Sequence, residues 1–80
     1  MEFIISTKAT VHGPNGPMNC WEETTAETFE IALLDAIRQI ASDKQTIKAF
    51  ISDNATEARF DCECTVEPLR YTLTIHISTK

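Results

Sequence analysis

The sequence has little positive charge, little glycine and no long apolar run. Seven Lys and Arg stand against twelve Asp and Glu in 80 residues, a formal net charge of −5. Direct binding of DNA or RNA is disfavoured, because release of phosphate counterions needs clustered Lys and Arg. Anionic membrane surfaces are disfavoured for the same reason. The start, Met1-Glu2-Phe3-Ile4-Ile5, is acidic and too short in apolar residues for secretion or membrane spanning. Three cysteines, Cys20, Cys62 and Cys64, are an odd number, which suits free thiols in a reducing cytoplasm better than a disulfide framework.

Both glycines and two of the three prolines fall in His12-Gly13-Pro14-Asn15-Gly16-Pro17. That cluster is turn chemistry: Pro14 presets φ for a type I turn and Gly16 closes it. It is not a phosphate loop, since it lacks the Gly-Lys-Ser/Thr ending and its prolines remove amide donors. What remains is 42% hydrophobic, enough for one core in a single domain spanning 1–80. A chain of this size buries only about 60–65% of the surface its unfolded form exposes.

Residues 2–12 alternate, with Phe3, Ile5, Thr7, Ala9 and Val11 on one side of a half-buried strand. Met18 to Trp21 either returns as a short edge strand or stays in a loop running to a helix. Thr24-x-x-Glu27 reads as a capping box, and no Gly or Pro interrupts the run to Asp43. At 100° per residue Phe29, Leu33, Ala36, Ile37 and Ile40 share a face, with Ala32 and Ala41 at its borders. Ile31 and Leu34 point to the charged side or its flank. Three alternating strands follow, over 47–52, 57–66 and 71–78, joined by Asp53-Asn54-Ala55-Thr56 and Glu67-Pro68-Leu69-Arg70.

These elements predict an α+β fold: one amphipathic helix on one face of a four- or five-stranded, mostly antiparallel sheet, in the order β-(β)-α-β-β-β. If the short strand exists, the first and last strands pair antiparallel; without it, a right-handed crossover makes them parallel. One helix covers one face, so the polar face stays open. A turn centred on Asn54-Ala55 pairs Lys48 with Asp61 and Phe50 with Arg59. A turn centred on Pro68-Leu69 pairs Asp61 with His76. The open face should then carry a row Lys48–Asp61–His76, with Phe50 and Arg59 one step along and Ile4 nearby. An aromatic beside an Arg that can stack on it is the composition of a binding hot spot. The same pattern also fits an edge aromatic covered by a long side chain.

A second candidate surface is acidic. No Lys or Arg occurs between Lys8 and Arg38, while Glu22, Glu23, Glu27, Glu30 and Asp35 fall in that gap. Acids favour a helix start in any case. They would also complement a basic partner, with Glu23, Glu27, Glu30 and Ile31 as its contacts.

Chemistry-bearing constellations are sparse. Asp61 with His76 is half of an acid–base pair, but a flat sheet face gives it neither nucleophile nor pocket. Cys62-x-Cys64 lacks the spacing and the further converging ligands of structural zinc, and both thiols should point into the core. The helix pattern from Thr25 to Ala41 resembles that of dodecins, small flavin-storing proteins that assemble into hollow spheres. The position of their flavin-stacking aromatic is occupied here by Thr46-Ile47-Lys48, and the Gly/Pro loop is foreign to them. No cofactor, metal or catalytic residue is therefore expected. In size and acidity the chain is similar to phage-encoded inhibitors of the anti-CRISPR and anti-restriction type. The reading is a non-enzymatic protein-binding module for a basic, nucleic-acid-handling partner. Its alternative is a dimer or oligomer stacked through the open sheet face around a small ligand.

Overall fold

A computed structural model describes residues 2–40, 46–66 and 69–80. The described residues form β1 (Phe3–Gly13), β2 (Gly16–Ala26), α1 (Phe29–Ile40), β3 (Thr46–Ile51), β4 (Ala58–Val66) and β5 (Leu69–Thr79). All strand pairs are antiparallel, in the order β2-β1-β5-β4-β3, and α1 packs on one face. The expected α+β architecture is the observed one, in its five-stranded form with the first and last strands antiparallel.

The second strand is the main surprise. It runs eleven residues rather than four, pairing with β1 from Gly13↔Gly16 to Phe3↔Ala26. Pro14-Asn15 makes the turn, and Gly16 leaves it at a φ of 98°, which a Cβ would strain. Thr24 and Thr25, read from sequence as a helix start, are strand residues opposite Ile5 and Ile4. β-branched threonine suits a strand as well as a cap, and the continuing ladder with β1 decides between them. The cap is Thr28 instead. Its Oγ1 accepts from the Ile31 amide at 3.1 Å, and its carbonyl accepts the first helical bond, from Ala32. The helix is described to Ile40; its expected continuation to Asp43 lies outside the described residues, as do Lys44, Glu67 and Pro68.

The helix meets the sheet through Ala32, Ala36 and Ile40, with Phe29 and Leu33 packed alongside. Both alanines are fully buried, so the absence of larger side chains lets the helix lie close to the strands. Ile37, placed by periodicity on the buried face, is 51% exposed. It sits on a flank of the helix, while on the other flank Gln39 lies close to Thr7 of β1 at 3.3 Å. Under the helix lie Phe3, Ile5, Ala58, Phe60, Cys62, Ile75 and Ile77, with Phe3 and Phe29 meeting edge to face at 5.6 Å.

Among the described residues, the helix covers about half the length of the long strands. Twelve helical residues reach about 18 Å, whereas eleven strand residues reach about 37 Å. Beyond the helix, on the same face, Ala9, Val11, Leu73 and Tyr71 are partly exposed, and Met18 and Cys20 are exposed. β3 also escapes cover: Ile47, Ala49 and Ile51 face the helix side yet are exposed. Cys64 is buried but stands outside the main cluster.

Candidate functional site

Strand alternation puts the even-numbered residues of β1, β3 and β5, and the odd-numbered ones of β2 and β4, on the face away from the helix. The antiparallel ladders assemble them into rows. One row runs Phe50–Arg59–His76–Ser6–Glu23 across all five strands. The next runs Lys48–Asp61–Thr74–Lys8–Trp21, and a third continues with Glu63–Thr72–Thr10–Asn19.

The β3–β4 half of this map is as the sequence implies, with Lys48 opposite Asp61 and Phe50 opposite Arg59. The β4–β5 half is not. Asp61 faces Thr74, and His76 faces Arg59, a slide of two residues from the expected register. Leu69, assigned to the turn, opens β5 opposite Val66, so the connection is two residues shorter. A slide of two preserves which side each residue faces, which is why the apolar consistency of the wrong register gave no warning.

The slide changes the chemistry. His76 Nε2 lies 3.3 Å from Glu57 Oε1 rather than beside Asp61. Asp61 instead accepts from Arg59 Nε at 3.2 Å and from Thr74 Oγ1 at 3.3 Å. Arg59 stands next to Phe50 in register but directs its Nε to Asp61. Each of these pairs is half exposed, so each contributes less than about 1 kcal/mol to stability. Burial, and to a lesser degree the carboxylate of its chain neighbour Asp61, pushes the thiol of Cys62, on the helix side, above its ordinary pKa.

Two aromatic side chains stand at opposite edges of the face. Phe50 on β3 is 58% exposed and Trp21 on β2 is 74% exposed. Trp21 borders a depression with Lys8 and Asn19, and a second, of about 270 Å³, lies over Lys48, Asp61, Glu63, Thr72 and Thr74. The sequence reading passed over Trp21 and Lys8, because the length of β2 decides whether Trp21 reaches this face at all. The alternation of β1 already carried the signal for Lys8.

The eight residues named from sequence separate into two groups. Phe50, Arg59, His76 and Glu23 share one row, with Asp61 in the adjoining one. Glu23 belongs to the sheet rather than to the helix, as a direct result of the longer β2. Glu27 precedes the cap, Glu30 lies in the first helical turn, and Ile31 beside it is half exposed. Charge also divides by face. On the open face Lys8, Lys48, Arg59 and Arg70 roughly balance Glu23, Glu57, Asp61 and Glu63, while Glu22, Glu27, Glu30 and Asp35 sit at the β2 edge and around the helix.

Among the described residues no group of three or more His, Cys, Asp or Glu side chains comes together. No described helix is long and apolar enough to cross a membrane. Comparison of the chain with protein-family models, curated proteins and solved structures finds no match.

Proposed function

We propose that this chain is a non-enzymatic protein-binding module that presents the helix-free face of its sheet to a protein partner. The observation that carries this reading is the pairing of Phe50 and Trp21, exposed at either edge of a charge-balanced polar face. Exposed aromatics beside Arg are the residues on which interface energy concentrates. The fixed strands beneath them keep the ordering cost of binding low. His76 and Glu57 lie on this open face with only the Ser6 hydroxyl opposite in register and no enclosing pocket among the described residues, so we read them as polar contacts rather than as acid and base.

The acid excess lies off the contact face and supports a division of labour. A net charge of −5 attracts a partner with a basic surface from a distance, while the sheet makes the contact. A nucleic-acid-handling protein has such a surface, and a small acidic chain occupying it acts as an inhibitor of the phage or mobile-element type. The three free thiols, two of them buried, suit a reducing cytoplasm.

Capture of the partner by the tagged chain from its own cell extract tests the reading. Trp21→Ala, Phe50→Ala and Arg59→Ala should each weaken capture, by about 30-fold for a hot-spot residue. Capture by all three at the wild-type level would end the proposal.

A further inference from the structure

The two edges of the sheet are guarded very differently. β2 carries Pro17, which has no N–H to offer, and the adjacent acids Glu22 and Glu23, which repel a second copy of the same strand. β3, Thr46-Ile47-Lys48-Ala49-Phe50-Ile51, has no proline, no glycine and a single charge. One side of it is paired throughout with β4, and its other side turns backbone N–H and C=O groups outward. Edge strands left this open and this apolar recruit another strand.

We propose that β3 pairs with β3 of a second copy, antiparallel about a twofold axis at Ala49, joining two sheets into one. The register follows from self-complementarity. Strand partners across such an axis share a face, so Ile47 meets Ile51 of the second copy on the helix side. On the open side Lys48 meets Phe50 of the second copy, a cation against an aromatic. The two Lys48 side chains are only diagonal neighbours across the axis, and each has Asp61, its own cross-strand neighbour on β4, beside it to offset that approach. An axis at Lys48 would set two ammonium groups face to face. An axis at Phe50 would set Ile47 against Asp53.

The helix side supplies the rest of the contact. Ile47 and Ile51 are about half exposed, as are Leu34 and Ile37 of the helix. Gln39 is turned to β1, and 100° per residue places Ile37 on the opposite flank, toward β4 and β3, with Leu34 above it on the side away from the sheet. Joining the sheets brings this apolar flank of each copy toward the shared strands and leaves the open faces continuous. Dimer formation does not depend on the protein-partner reading, and either can fail alone.

Sedimentation equilibrium of the full chain tests the proposal. A reversible dimer is expected. Phe50→Lys, which sets a second ammonium group opposite Lys48, should weaken it about tenfold over the two symmetric contacts. Phe50→Glu, which sets a carboxylate there, should retain it. A chain that stays monomeric up to millimolar concentration overturns the pairing. So does a dimer that Phe50→Glu dissociates as fully as Phe50→Lys, the result expected of open faces stacked on each other. As an independent check, Ala49→Cys in a Cys20→Ser background should form a disulfide between copies under mild oxidation, since directly opposed antiparallel residues lie within disulfide reach. A wild-type dimer without that cross-link rejects the register.

Discussion

Ala55 is the only non-glycine residue among the described ones held at positive φ, 54°. It sits in the turn between β3 and β4, which Ser52 organises: its Oγ accepts from the amides of Thr56 at 3.2 Å and Glu57 at 3.0 Å. A Cβ in the left-handed region costs about 1–2 kcal/mol, and a glycine there adds unfolded-state entropy of about 0.4–1 kcal/mol. Ala55→Gly should therefore stabilise the fold by up to about 1 kcal/mol, read as a higher urea midpoint with an unchanged slope. Cys62 gives a prediction in pH. Its raised pKa keeps the proton in the fold where the unfolded chain has lost it, so the folded state binds more protons. This contribution is complete below the ordinary thiol range, about pH 8.5, and declines as pH rises through the folded value. Cys62→Ala should lose stability overall but show a shallower alkaline decline, and parallel midpoint-versus-pH curves for the two proteins would refute this. Residue identity alone was enough to place both thiols of Cys62 and Cys64 indoors, because parity along a strand needs no partner. It could not place Trp21 or Glu23, whose facing depends on where β2 ends.

At the scale of elements, the helix shows how little of its start the capping motif decided. Thr28 is the cap in the fold, so Thr28→Ala should cost about 1 kcal/mol, while Thr24→Ala should not act through the helix. Urea titrations of the two variants, with helicity followed by circular dichroism, distinguish these sites. A larger helical loss in Thr24→Ala would contradict the assignment. The sequence offered Thr24 with Glu27 and offered Thr28 with no acid three residues on, so local signals alone favoured the wrong threonine. Long-range pairing of Phe3 with Ala26 carried β2 into the motif, through Thr24 and Thr25. The strands were more legible than their registers. The turn after β3 fixed Lys48 opposite Asp61 correctly, whereas the shorter connection before β5 moved His76 away from Asp61. Most of the candidate face survived that error, and its one acid–base pairing did not.

On the scale of the molecule, composition and alternation implied one helix, one covered face and one open face. They could not say that the described helix is shorter than the strands it covers. The described chain is 43 Å long and 20 Å wide, with the apolar cluster confined to the end where Phe3, Ala26 and Ile77 meet. Amide deuteration should follow that arrangement. Within β1 and β5, the amides paired around Ile5 and Ile77 should exchange slowest, and those around Val11 and Tyr71 many times faster, although the same two strands carry both. Uniform protection along their length would contradict this. Opening therefore proceeds from one pole, and the turn at Pro14-Asn15 can part from its neighbours while the opposite end stays shut.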